Sequence, residues 1–325
     1  MRYKLNLRMF DVTNATTSDG LSAEMKEYYS NYLIKSVLPE LVHDQFGQTH
    51  NIPKNGGKII EFRKYKPLGK ALTPLTEGVT PEGQELSVST VSAEVKQYGS
   101  FVRLTDMLIL TAIDNNVVEA LEQIGGQASL TLDTVTREVL NGGTNVQYAD
   151  GQVTSRSALT QEHKLTVKSI RLAVRLLKKM NAKKIDGSYV GIINQDVAYD
   201  LMDDPNWQEW SKYTTPEHMF NNEIGKVADV RFCVTSEAKI FAGAGSGGVD
   251  VYSTLILGAN AYGTTNVEGG GLRTIVKQLG SAGTADPLDQ RATVGWKAIK
   301  AAVRLVEEYM VRIETGCSFN DGVAN

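Results

Sequence analysis

The residues best suited to chemistry in this chain are four histidines, two cysteines, paired carboxylates, a glycine-rich hexapeptide and a basic run. Their spacing decides what each can do. His43, His50, His163 and His218 stand far apart. A zinc site needs ligands that share a helix face or flank a tight turn. None of the four is placed that way with another His, Cys or carboxylate, so each reads as an isolated surface or core residue. Cys233 and Cys317 are too few for a disulfide framework, and two free thiols are expected. Asp203-Asp204 and Glu307-Glu308 are adjacent in sequence, whereas general acid/base work needs carboxylates placed across a substrate. They read as solvated charged edges. There is no G-x-S-x-G elbow and no Walker A lysine loop. No catalytic residue, cofactor site or metal site is assigned, and the chain is not expected to be an enzyme.

Two patterns need weighing. Gly243-Ala244-Gly245-Ser246-Gly247-Gly248 satisfies G-x-G-x-x-G. In a dinucleotide site a helix follows and directs its N-terminal amides at the pyrophosphate. Here VDVYSTLIL follows, which has strand composition, so the glycines read as a flexible loop tip. Residues 164–184 hold Lys164, Lys168, Arg171, Arg175, Lys178, Lys179, Lys183 and Lys184 and no acid. Lys168, Arg171, Arg175 and Lys178 share one helical face. That face suits non-specific contact with DNA phosphates, acidic groups of a neighbouring subunit, or plain solvation. It lacks the aromatic residues that would stack single-stranded bases.

These residues must be positioned by elements legible in the pattern. The 325 residues, 42% hydrophobic and 22% charged, are globular values with room for two domains. The net charge of −3 makes no bulk case for nucleic acid or membrane. No apolar run is long enough for a membrane span, and the basic N-terminus lacks the apolar stretch of a secretory signal. Leu21, Met25, Tyr28, Tyr29, Tyr32 and Leu33 suggest an early helix ahead of Pro39. The spacing of Val117, Leu121, Ile124, Ala128, Val135 and Val139 predicts a long helix from Asn115 to about Leu140, stopped by Gly142-Gly143. Gly125-Gly126 inside it suggests a kink or a close backbone contact. Residues 144–163 read as polar loop. A helix over Leu165–Met180 buries Val167, Ile170, Val174 and Leu177. Strands are expected at Tyr189–Ile193, Val230–Val234, Val251–Leu257 and Leu272–Leu279, with a short helix at Val197–Met202. This mixture points to a mixed α/β domain over roughly 160–255. Segment 294–313 fits helix or strand, with strand favoured.

The most informative stretch is 57–104. Gly57–Lys66 has strand composition, with Ile60, Phe62 and Lys64 on one face. Leu86–Leu104 alternates as a second strand signal, with a phase change near Ser89 that suggests a bulge. Between them, residues 67–85 carry Pro67, Pro74 and Pro81 with Gly69, Gly78 and Gly83, which excludes a helix or a regular paired strand. So long a connection is uncommon unless functional or disordered. One limb carries Lys58, Arg63, Lys64, Lys66 and Lys70, the other Glu77, Glu82 and Glu85. An arm with oppositely charged limbs suits contact with another subunit. A floppy surface loop is the plain alternative.

The order of these parts resembles the tailed-bacteriophage major capsid protein of the Hong Kong 97 fold. Segment 57–104 looks like its E-loop and flanking strand, 115–140 like the spine helix and 160–255 like the axial domain. The runs Val276-Lys277-Gln278-Leu279-Gly280, Asp286-Pro287-Leu288-Asp289-Gln290-Arg291 and Thr293-Val294-Gly295-Trp296-Lys297 are similar to the coliphage N-four major capsid family, as are Gly99-Ser100-Phe101-Val102 and Asp106. The resemblance implies an α+β fold. Its parts are an N-terminal arm (1–54), E-loop and flanking strands (55–105), peripheral domain with spine helix (106–159), axial domain (160–255) and return strands (256–325). It implies a structural subunit forming hexamers and pentamers of an icosahedral shell around double-stranded DNA, assembled in the host cytoplasm and located in the virion. The expected partners are other copies, a portal, separate scaffold or decoration proteins, and packaged DNA met non-specifically, but no membrane. Only about fifty-five residues precede the arm, so a fused scaffold is not expected. An encapsulin-like compartment of the same fold is the alternative. Arg63, Lys64, Lys66, Lys70, Glu77, Glu82 and Glu85 are the candidate E-loop contacts. Lys168, Arg171, Arg175 and Lys178 are the candidate basic face.

Overall fold

A computed structural model describes residues 42–324, apart from 54–56, 67, 76, 81, 112–115, 150–152, 212–222 and 268–269. The expected early helix and His218 lie outside the described residues. In chain order the elements are β1 (Gln48–Ile52), β2 (Ile59–Tyr65), β3 (Val88–Glu94), β4 (Lys96–Thr105), α1 (Asp106–Thr111), α2 (Asn116–Asn141), β5 (Val146–Tyr148), α3 (Val167–Lys179), β6 (Tyr189–Ile193), α4 (Gln195–Met202) and α5 (Pro205–Ser211). They continue with β7 (Glu223–Val227), β8 (Val230–Val234), β9 (Ile240–Phe241), β10 (Val251–Leu257), β11 (Tyr262–Val267), β12 (Arg273–Lys277), β13 (Arg291–Arg304) and β14 (Met310–Thr315). The described chain divides into two units, one of residues 98–129 and 272–298, the other of 42–97, 130–271 and 299–324. Helix α2 and strand β13 each run from one unit into the other.

The larger unit is built on a seven-stranded mixed sheet of order β5-β14-β10-β6-β8-β7, with β9 also on β10. β10 pairs antiparallel with β14 from Tyr252↔Thr315 to Leu257↔Met310, and β6 runs parallel to β8. β6 and β10 are buried along their whole length. Both faces of the sheet must therefore be covered, which is why both strands are uncharged and mostly apolar, with only Ser253 and Thr254 of β10 polar. On one face Ile170, Val174 and Leu177 of α3 and Val197 and Leu201 of α4 pack on Tyr252, Ile256, Val311 and Ile313. On the other, Leu140 of α2 packs with Ile192, Leu255, Leu257 and Met310. Burial of each such side chain contributes about 1.5–3 kcal/mol. Thr166 caps α3 by accepting the Ser169 amide, and Asn194 caps α4 by accepting that of Asp196.

The first turn of the chain described is pinned by buried polar groups. His43 donates its amide to Asp133 Oδ1 (2.9 Å), and its Nδ1 lies 2.6 Å from Oδ2. Asp44 takes the Thr136 hydroxyl at 2.6 Å and the Lys300 ammonium, while Tyr262 donates to the His43 carbonyl. His43 is thus a core residue with a structural carboxylate partner. The C-terminus of α2 is held by cations, as its exposed carbonyls favour. Arg304 donates to the Val139 carbonyl and Arg312 to that of Asn141. The helix ends at Gly142-Gly143, where a Cβ would sit 2.7 Å from the Arg304 guanidinium at the first and 2.6 Å from the Glu307 carboxylate at the second, so a larger residue would displace those side chains.

The smaller unit pairs β12 antiparallel with β13, from Arg273↔Lys297 to Lys277↔Thr293, and β4 also pairs with β13. Trp296 is buried and donates to Gln127 of α2 at 3.2 Å.

Several expectations are corrected. The β2–β3 register is regular through Lys64↔Ser89, so there is no bulge at Ser89. The phase change is met at Val95 instead, where β3 ends and β4 takes β13 as partner. The loop 144–163 contains β5, parallel to β14. A Cβ on Gly126 would meet no described atom within 4 Å, so no close contact explains that glycine. The favoured reading of segment 294–313 as strand holds, with a break between β13 and β14 that contains a 3-10 turn at Glu307–Tyr309.

Candidate functional site

β2 and β3 form a two-stranded ribbon, registered from Ile59↔Glu94 to Tyr65↔Val88 and sharing no ladder with another strand among the described residues. Its base is held by Ala93, which is buried, and by Phe62, whose ring meets His50 edge-on at 4.8 Å. Beyond the pair Lys66–Ser87, joined by an amide–carbonyl bond of 3.0 Å, the described residues adopt no helix or strand. Prolines and glycines leave the backbone nothing to pair with. Gln84 reaches the Gly69 carbonyl at 3.4 Å across the loop.

Arg63, Lys64, Lys66, Lys70, Glu77, Glu82 and Glu85 are all exposed on this arm. The structure brings them together on one projection, cations on the outgoing limb and carboxylates on the return. Lys64 is drawn back toward its own subunit, its Nζ 6.0 Å from the Tyr309 ring centroid. The charge pattern overlooks a larger feature. Leu68, Leu72, Leu75, Val79 and Leu86 are 55–82% exposed. A run of large aliphatic side chains in water on one arm is the mark of a surface that meets a partner. The signal lies in PLGKALTPLTEGV, where apolar residues recur at every third or fourth position although the prolines forbid the helix that would bury them.

The basic face on α3 is only partly free. Lys168, Arg171, Arg175 and Lys178 are exposed. Lys178 lies 2.7 Å from Asp229 and Lys184 3.2 Å from the same carboxylate. Those two lysines hold the Asp229 carboxyl below the ordinary carboxylate range. Lys164 is paired with Asp200 at 3.1 Å, and Lys168 borders a hollow shared with Asp203 and Asp204. Arg171 and Arg175 have no ion pair among the described residues.

The carboxylate pairs are not simple solvated edges. Asp204 accepts the Val167 amide of α3 (3.1 Å) and the Asn206 amide of α5 (2.9 Å). Glu307 accepts the Thr144 and Asn145 amides and pairs with Arg304 at 2.9 Å. Glu314 is fully buried between Arg156, which contacts it through two nitrogens at 2.7 and 2.8 Å, and Arg312 at 2.9 Å. The hydrogen bonds that Arg156 donates to Glu314 raise the Arg156 pKa, whereas burial lowers that of Arg312. Gly243–Gly248 is fastened by the Ser246 amide on the Leu159 carbonyl (2.8 Å) and the Gly243 amide on Asp250 (2.7 Å), and β10 follows it. Cys233 and Cys317 are not joined in a disulfide; burial pushes the Cys317 thiol up to about 12. Among the described residues no His, Cys, Asp and Glu side chains group as a metal site, and no helix is long and apolar enough to cross a membrane.

A two-stranded arm with an exposed aliphatic surface is thus the main feature of the described residues, and the comparisons to known proteins place the fold. The model of the phage capsid protein family matches residues 88–313. The chain belongs to that family. Phage capsid proteins with solved structures share its fold. The capsid of Ralstonia phage GP4 is 14% identical with a TM-score of 0.67, over 84% of this chain and 88% of that one. The cyanophage Pam1 capsid is 13% identical with a TM-score of 0.68, over 88% and 93%. The capsid of Helicobacter pylori bacteriophage KHP30 is 12% identical with a TM-score of 0.56, over 82% and 88%. A search of curated proteins found no match. This phage capsid protein therefore has the Hong Kong 97 type of fold and a structural, non-enzymatic role as a major capsid protein of the virion.

Proposed function

We propose that this capsid protein assembles into hexamers and pentamers of an icosahedral shell enclosing double-stranded DNA, with the 59–94 arm lying over a neighbouring copy. The observation that carries this is the arm's uncovered aliphatic surface, Leu68, Leu72, Leu75, Val79 and Leu86, beside limbs of opposite charge. No solvated loop gains from such a surface, whereas a neighbour that covers it removes each side chain from water. The arm takes the role of E-loop, α2 that of spine helix, and 160–255 that of axial domain. Arg63, Lys66 and Lys70 then face acidic groups of the neighbour, and Glu77, Glu82 and Glu85 basic ones. Within the family, the runs 276–280 and 286–297 support a place beside the coliphage N-four group. A portal, separate scaffold or decoration proteins, and DNA met without sequence recognition complete the set of partners. Electron microscopy of the purified protein at rising concentration, with and without scaffold, tests this. Closed particles containing nucleic acid after expression with the packaging machinery are expected. Monomers under every condition, or particles filled with an enzyme, contradict it.

A further inference from the structure

The larger unit carries a basic groove and an acidic, aromatic face, neither of which the arm accounts for. The groove, of about 340 Å³, is lined by Arg171, Val174, Arg175 and Lys178 of α3 with Ala228 and Asp229 of the β7–β8 turn. Asp229 pairs with Lys178 and Lys184 and offsets one of their two charges, and Arg171 and Arg175 have no ion pair among the described residues. A phosphate strand laid in this groove would meet the Asp229 carboxylate. The apolar lining from Val174 and Ala228 is also of little use to DNA. Mixed charge around an apolar floor is the chemistry of a protein contact.

The face that complements it is built from α4 and the segment after β14. Asp196 and Tyr199 of α4 and its C-cap residue Asp203 fall three and four residues apart, on one side of the helix. Phe319 lies against Tyr199, ring centroids 5.5 Å apart at 69°, and Asp321 follows. Tyr199 is 60% and Phe319 42% exposed. This segment is held rigidly. Ser318 donates its amide and hydroxyl to Asp200 at 2.8 and 2.7 Å, and Gly322 donates its amide to Asp250 at 2.7 Å. Two fixed aromatic rings exposed among carboxylates form a preorganised seat for guanidinium groups, which pair with carboxylates and stack on rings.

We propose that Arg171 and Arg175 of one copy seat on the Tyr199–Phe319 face of the next, paired with Asp203 and Asp321. The contact joins two different patches, so it is heterologous: it propagates from copy to copy instead of closing a twofold dimer, and forms a ring where the rotation between copies closes. It rests on the shell reading and names the contact that orders subunits within one ring.

The test uses two charge-reversed full-length proteins, Arg171→Glu with Arg175→Glu, and Asp203→Lys with Asp321→Lys. Each is checked first for unchanged circular dichroism and melting temperature. Alone, each is expected to self-associate at least about tenfold more weakly than the unmodified protein, because like charges then oppose one another across the contact. Mixed in equal amounts, they are expected to form six-membered rings in which the two alternate, since every contact in such a ring is then either native or doubly reversed, whereas a five-membered ring keeps one mismatched contact. Native-strength assembly of either protein alone overturns the proposal, as does failure of the mixture to form six-membered rings when both are folded. Normal assembly of the arginine variant with loss of packaged DNA assigns the groove to DNA and also overturns it. Failure of the unmodified protein to assemble strikes the shell reading instead.

Discussion

Leu72 and Leu75 are 82% and 77% exposed on the arm, and their value to the protein lies outside its own fold. Replacing both with serine therefore leaves the subunit's own stability within about 0.5 kcal/mol, as for other exposed positions. Assembly is another matter. Fully burying a leucine contributes about 1.5–3 kcal/mol, and roughly four-fifths of that surface is still available here, so the pair carries about 3 kcal/mol per arm. At 1.4 kcal/mol per factor of ten, each arm contact weakens by roughly a hundredfold. The loss recurs at every contact of a ring. Light scattering against concentration should show a critical concentration for assembly raised by at least that factor, while the melting temperature of dissociated subunits stays put. A critical concentration within about twofold of the unmodified protein refutes the reasoning. A melting temperature lowered by several degrees refutes it too, because it places those leucines in their own subunit's core.

Other expectations follow from the buried charges. Glu314→Gln leaves Arg312 without its counter-charge beneath the sheet; with Arg156 a third exposed and able to rehydrate, the cost is about 3 kcal/mol, read by urea unfolding. An unchanged midpoint argues against the triad as a fold element. Burial works to raise the Asp200 carboxyl, but hydrogen bonds from Ser318, Cys317 and Lys164 outweigh it and hold the group below its ordinary value. Its contribution is complete above the ordinary carboxylate pKa and is lost as pH falls through the lowered one. The protection of the Ser318 amide against hydrogen exchange, taken relative to the intrinsic rate at each pH, should accordingly stay high at neutral pH and fall only in acid, and Asp200→Asn should lower it at neutral pH. Equal exchange in the two proteins at neutral pH contradicts the anchoring role.

Much of the fold was legible because its signals are local. The apolar positions 167, 170, 174 and 177 make an amphipathic α3 whatever surrounds them, and all four are buried. The uncharged, mostly apolar YVGII and VYSTLIL runs announce strands covered on both sides. Features decided by distant partners were not legible. β5 has only three residues, of mixed polarity, and is a strand because β14, over 160 residues away, offers it an edge. Glu307 looks solvated in sequence and is captured by the Thr144 and Asn145 amides. The basic run of 164–184 contains no acid, yet Asp229 arrives from the β7–β8 turn to quench part of it. His43 reads as an isolated histidine and proves to be paired with Asp133, ninety positions on. For the arm, the charged limbs were visible at once, but its aliphatic surface acquires meaning only when the fold shows Leu68, Leu72, Leu75, Val79 and Leu86 exposed among the described residues.

The central claim is that this uncovered arm is completed by a second copy. A reconstruction of assembled particles, at a resolution that shows side chains, tests it most directly. The account requires Leu68, Leu72, Leu75 and Val79 to be buried against an adjacent subunit, with Arg63, Lys66 and Lys70 near carboxylates of that neighbour. An arm folded back on its own subunit, or projecting free into solvent within an intact shell, contradicts it.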